Sequence, residues 1–262
     1  SFFNGDGCLL AKHGYSRDHR SDKRQVKIGL AITAGKCLPF HFSVEEGGLV
    51  DSKQFVRDYR AIESKLPVNA LVTFDKGAKS AGNCKLIRSS GRDYLSAVKN
   101  SAELRERIKG VDKNMMLELF KYESGERVFA WWKKRGDVYE YIYFDERRAE
   151  KDAEKRDRKI KQVLAEKEKL AKKIRQKGVK ALKRMTKRKK IKKELNNMVI
   201  TTEVTVQKRL TRKTDKEIIA ELEKDKDLDG FFALESSRNL KPKSALRLYR
   251  RKDKIEKLIC DL

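Results

Sequence analysis

Residues 68–82, VNALVTFDKGAKSAG, limit what this chain can fold into more than any other stretch. Ala70, Leu71, Val72, Thr73 and Phe74 make a short continuous run of apolar and β-branched side chains, the pattern of a strand buried on both faces. Such a strand needs cover on either side, which calls for an α/β layer. The run delivers Asp75 into Lys76-Gly77, a turn ahead of a helical pattern, and so puts a carboxylate at the rim of a sheet, where open α/β sheets carry their ligands. Two readings of Asp75 stay open at this level. It caps the helix that follows, or it does chemistry at the sheet edge.

The flanking sequence fits the same layer. From Val26, the residues Ile28, Leu30 and Ile32 alternate with smaller or polar ones, and residues 37–44 (CLPFHFSV) read as the antiparallel partner across Ala34-Gly35. Asp51 or Ser52 is placed to cap a helix on which Phe55, Val56, Tyr59 and Ile62 recur at helical spacing. A helix over 80–89 stopped by Gly91 and a strand over 93–99 complete the order hairpin, helix, strand, helix, strand. Beyond Asn100, the runs 127–133 (RVFAWWK) and 138–144 (VYEYIYF) flank Lys134-Arg135-Gly136-Asp137, a hairpin signal. Trp131 and Trp132 fall on opposite faces of the first run. One packs, and an exposed one could stack on a base.

Residues 145–194 contain no proline, and their thin apolar stripe, with Glu154–Arg158 and Glu168–Lys172 in the favourable i,i+4 order, predicts a long helix or helical hairpin that breaks near Gly178. Strand character returns at 198–206 (MVITTEVTV), followed by a short helix near 216–223, a strand over 229–235, and a helix over 243–262 opened by Pro242 and carrying Glu256.

Charge narrows the choice of partner. Sixty-five Lys and Arg against 39 Asp and Glu leave a net charge of +26 on 262 residues, so a polyanion is the natural partner, nucleic acid ahead of an anionic membrane. Fourteen of these cations lie between Lys169 and Lys193 with no acid among them, which favours attraction to a phosphate backbone. The basic loop around Arg17, Arg20, Lys23 and Arg24 reads equally as a solvated surface or as a phosphate-contacting edge. No stretch approaches the ~18 consecutive apolar residues of a membrane span, and no signal-like start is present, which gives the expectation of a soluble, intracellular protein. Cys8, Cys37, Cys84 and Cys260 are scattered and the three histidines do not cluster, so reduced thiols are expected in place of a zinc site.

Taken together, these pieces resemble the DDE transposases of bacterial insertion sequences, in the branch marked by a Tyr-x2-Arg-x3-Glu-x6-Lys signature. Tyr249, Lys252 and Glu256 hold its first three places at the right spacing, with lysine for the usual arginine, and the last lysine would fall one residue past Leu262. TFDKG around Asp75 resembles the second carboxylate of that family, commonly followed by Arg-Gly. GYSRDHRSDKRQVKIGLAI (14–32) with EGGLVDSK (46–53) is similar to the pattern after its first strand, and DGFFALES (229–236) to the strand before the Glu helix. Ser1-Phe2-Phe3 matches the end of the strand that bears the first catalytic aspartate, which places that aspartate just before Ser1; Asp6 does not take the role. The chain is accordingly expected to be a piece of a longer protein, inactive by itself for want of this ligand.

The resemblance implies a ribonuclease H-like mixed sheet with flanking helices, residues 1–100 forming its first part and 241–262 the helix of the third carboxylate. Between them, residues 101–240 would be a β-rich insertion carrying a basic helical arm over 145–195. It implies DNA strand cleavage and strand transfer with two Mg²⁺ ions about 4 Å apart, Mn²⁺ substituting, and Asp75 and Glu256 as metal ligands. Arg17, Arg20, Lys23, Arg24, Lys76, Tyr249 and Lys252 would hold phosphates. The partners implied are transposon-end and target DNA, with a homodimer as the form a synaptic complex would take, in a bacterial cytoplasm at the nucleoid. Two alternatives remain: a non-enzymatic nucleic-acid-binding protein or decayed transposase that kept its basic arm, and a basic coiled-coil scaffold, which leaves the α/β order unexplained.

Overall fold

The computed structural model describes residues 2–3, 7–14, 23–177 and 213–253. They form two compact units, one of residues 1–144 with 231–262, the other of residues 145–230.

The first unit is α/β. Strands β1 (Phe2–Phe3), β2 (Arg24–Ile32) and β3 (Pro39–Glu46) make a small antiparallel sheet, and α1 (Asp51–Glu63) follows it. Val50 is the N-cap of α1 and supplies no side-chain bond. The expected capping by Asp51 or Ser52 is thus corrected: Asp51 lies inside the first turn, where a carboxylate favours the helix dipole, and pairs with Lys27 of β2. β4 (Leu71–Phe74), α2 (Ala81–Ser89), β5 (Asp93–Ala97) and α3 (Ala102–Lys109) come next. β6 (Leu117–Lys121), β7 (Arg127–Arg135) and β8 (Val138–Asp145) are joined by β9 (Phe231–Ser236), and α6 (Pro242–Arg250) closes the described chain. The large sheet has the order β4-β5-β9-β8-β7-β6. β4 and β5 run parallel, whereas β9 is antiparallel to both β5 and β8, so the sheet is mixed. β7, β8 and β9, the described strands expected in the insertion, and β6, which the sequence patterns do not mark, therefore share one sheet with β4 and β5.

Each face of this sheet has its own core. On one side Leu95, Val128, Ala130, Tyr141, Tyr143 and Leu234 are fully buried, and Ala245 and Leu246 of α6 pack onto them. Pro242 begins α6 at its first turn, where its missing N–H costs nothing, and the Tyr143 hydroxyl donates to the Pro242 carbonyl at 2.9 Å. On the other side Phe74, Cys84, Ile87 and Tyr94 pack with Tyr59 from α1. Gly91 ends α2 at φ +74, a backbone angle that a side chain disfavours.

The second unit is helical where it is described. α4 (Glu146–Lys177) spans 32 residues, and the Glu154–Arg158 and Glu168–Lys172 pairs form as the spacing requires. α5 (Asp215–Glu223) begins with a capping box between Thr214 and Glu217, and Lys167 of α4 pairs with Asp215 at 2.5 Å. Leu170 and Ile218 are the buried apolar residues here. Gly230 (φ +80) closes against Ala149 and the Asp145 carbonyl, so close that a Cβ would lie 2.8 Å from both. The expected break near Gly178 and the strand at 198–206 lie outside the described residues. Among the described residues, no helix is long and apolar enough to cross a membrane.

Candidate functional site

Asp75 follows the last residue of β4, and the chain then turns, with the Ala78 N–H donating to the Asp75 carbonyl at 3.1 Å. The helix beyond is capped by Ser80, whose hydroxyl accepts from the Asn83 N–H at 3.1 Å. The capping reading of Asp75 therefore falls: the helix has its own cap five residues on, and the Asp75 side chain is used elsewhere. Asn83 steadies the turn by donating its side-chain amide to the Ala78 carbonyl at 2.7 Å and to the Ser52 carbonyl of α1 at 3.0 Å.

The Asp75 carboxylate receives its partners from the end of the chain. The Tyr249 hydroxyl donates to Oδ1 at 3.2 Å, and the Lys252 ammonium lies 3.4 Å from the same oxygen. Their sequence separations from Asp75 are 174 and 177 residues. One amphipathic helix accounts for this: Leu246 anchors α6 on the sheet, and Tyr249, three residues later, emerges on the same side one turn on. Lys252 is a further three residues along and also lies over the Tyr249 ring, 5.2 Å from its centre.

Partial burial works to raise the Asp75 pKa, but the Lys252 charge, the Lys76 N–H and the Tyr249 hydroxyl outweigh it and hold the carboxyl below its ordinary value. Asp75 is therefore an anion at neutral pH. With its side chain 31% exposed, it can meet a ligand from solvent.

Of the residues expected to act with Asp75, Tyr249 and Lys252 are brought to it, and Lys76 contributes through its backbone while its side chain is exposed. Lys23 and Arg24 stand at the start of β2, three or four residues before the Lys27 that pairs with Asp51. Arg17, Arg20 and Glu256 lie outside the described residues. An ionised carboxylate is the hard oxygen donor that Mg²⁺ prefers, so Asp75 fits the implied metal as one ligand. Among the described residues, no group of three His, Cys, Asp or Glu gathers around one point. Lys79, Tyr94, Glu140 and Glu235, which no motif in the sequence marks, form a second polar cluster on the sheet. An acid within the apolar strand FFALES was the signal for it.

No family model, no curated protein and no solved structure matches this chain.

Proposed function

We propose that this chain is the catalytic part of a DDE-type transposase with a ribonuclease H-like core, which cuts DNA strands and joins them to a target with the help of divalent metal ions. The observation that carries the reading is the meeting of Asp75 with Tyr249 and Lys252 at the end of β4. Residues this far apart in sequence converge on one partly exposed carboxylate.

In this reading each side chain has a distinct task. Asp75, kept ionised by Lys252, offers oxygen to the metal, and Glu256 would supply the second carboxylate. A bound pair of Mg²⁺ ions would activate the attacking hydroxyl and stabilise the leaving oxygen. Lys252 and Tyr249 present an ammonium and a hydroxyl beside the carboxylate, a pair suited to holding a phosphate group next to a metal. Arg250 and Arg251 extend the positive charge along the same stretch of chain. The cations of residues 169–193 would add affinity independent of sequence, falling steeply as salt rises.

Plasmid nicking tests the proposal in two steps. The 262-residue chain is expected to bind DNA without cutting it. Extended at its N-terminus by a strand designed to supply an aspartate, it is expected to nick in Mg²⁺ or Mn²⁺ and to lose that activity with Asp75→Asn or Glu256→Gln. Nicking that survives Asp75→Asn would refute the proposal. The second reading, a nucleic-acid-binding protein without catalysis, is favoured by the charge alone and would be upheld by tight DNA binding with no metal-dependent cutting from the extended chain.

A further inference from the structure

The sheet face covered by α2 and α3 carries charge where an apolar layer would pack more simply. Glu140 of β8 and Glu235 of β9 are direct cross-strand partners, an arrangement that like charges oppose. Glu140 is 4% exposed at its side chain and Glu235 23%. Both are held by cations from elsewhere in the fold. Arg107 of α3 donates to Glu140 Oε1 from Nε and Nη2 at 3.0 and 2.8 Å, and Arg135 reaches Oε2 at 3.4 Å. Lys79 lies 2.9 Å from Glu235 Oε1, which also accepts from the Tyr94 hydroxyl at 2.6 Å. Burial and the neighbouring Glu235 push the Tyr94 phenol far up, so it stays a donor.

These groups line a cavity of about 870 Å³. Four cations of its wall, Lys79, Lys99, Arg107 and Arg135, face three carboxylates, leaving it net positive. The wall also includes Ser80 and Ser101, the N-caps of α2 and α3, so two helix N-termini open on it, each equivalent to about half a positive charge. Lys99 is exposed and forms no ion pair among the described residues. The remaining wall has an apolar part, including Val98 and Val138. The volume exceeds what a lone phosphate needs and lies in the ~300–1,000 Å³ range of small-molecule sites.

We propose that this cavity binds a nucleoside phosphate, with the phosphate drawn to Lys99 and the two helix N-termini and the nucleoside lying against Val98 and Val138. Asp75 turns instead to α6, which packs on the opposite face, so the site stands whether or not Asp75 is catalytic.

Calorimetric titration of the 262-residue chain tests this with two probes, adenosine 5′-monophosphate and a 5′-phosphorylated thymidine pentanucleotide, at about 0.3 M salt to suppress diffuse attraction. Saturable one-site binding is expected for at least one probe. Lys99→Glu and Ala81→Glu should each weaken it about tenfold by setting a carboxylate where the phosphate lies. Both positions are exposed, and a carboxylate at the start of α2 favours the helix, so both variants should fold. The control Lys161→Glu, also a charge reversal but on α4, should leave binding unchanged. Binding of the mononucleotide identifies a free nucleotide as ligand, and binding of the pentanucleotide alone, with the same dependence on Lys99 and Ala81, identifies a strand end. The proposal is overturned if neither probe saturates by about 10 mM, a concentration at which even a site of millimolar Kd would be nearly filled, or if Lys161→Glu weakens binding as much as Lys99→Glu does.

Discussion

Asp75 and Glu140 are both carboxylates paired with cations beside the same six-stranded sheet, yet one stands at a strand end and the other in the middle of a sheet face. Asp75 is 31% exposed and takes Lys252 from the last described turn of chain. Glu140 is 4% exposed and is gripped by Arg107 through two nitrogens, with Arg135 behind. Burial decides what each charge can do. An interior carboxylate is bound to its partner because either would be stranded without the other. At the rim, solvent screens the pair, and the carboxylate can exchange its partner for a ligand at small cost.

Removing one cation from each pair should break the symmetry between them. Arg107→Ala leaves Glu140 with a weaker partner in a buried setting and is expected to cost about 3–5 kcal/mol of stability in urea unfolding. A loss under about 1 kcal/mol, the scale of an exposed pair, would mean that Glu140 is not held as described. Tyr143→Phe deletes a buried hydroxyl that donates to Pro242 and should cost about 1–1.5 kcal/mol. Because that bond fixes the start of α6, the resonances of Tyr249 should shift in the same variant while those of Tyr59 stay put. Lys252→Ala should change stability by no more than about 1 kcal/mol, in keeping with a rim pair.

The same Lys252 variant has a pH signature. Asp75 has a folded pKa below the ordinary value of 3.8, so its ionised form stabilises the fold above that pH, and the contribution is lost as pH falls through the depressed value. Removing Lys252 leaves the burial that opposes ionisation and takes away the nearest cation, so the Asp75 pKa should rise. Carboxyl-carbon NMR titration would follow it, and an unchanged Asp75 midpoint would show that Lys252 does not act on it.

Local chemistry made part of this legible in sequence. The apolar run of β4 ending at Asp75, the Ser80 start of α2, the stop at Gly91 and the hairpin of β7 and β8 each rest on neighbours in the chain, and all occur within a residue or two of the expected places. α3 escaped because AELRERIK shows a single apolar pair, Leu104 and Ile108, which is too short a pattern to declare a face. β6 escaped for the same reason: LELFK is brief and flanked by charge, and it becomes a strand by pairing with β7. The facing of Glu140 and Glu235 depends on the register of two strands whose partner residues are 95 apart in sequence, which local patterns do not encode. The family resemblance gives Tyr249 and Lys252 phosphates to hold and helical spacing puts them on one helix, whereas their contacts with Asp75 come from the fold.

If Asp75 and Glu256 share a metal site, as proposed, oxidation of the protein by its own bound metal should cut the chain beside both. With Fe²⁺ in place of Mg²⁺, peroxide and ascorbate generate hydroxyl radicals that cut the polypeptide beside the bound ion, and mass spectrometry locates the cuts. Paired cleavage near residues 75 and 256, suppressed by excess Mg²⁺ and abolished at both places by Asp75→Asn, is the predicted result. Cleavage near only one of the two, or a pattern that Asp75→Asn leaves unchanged, would rule out a shared site.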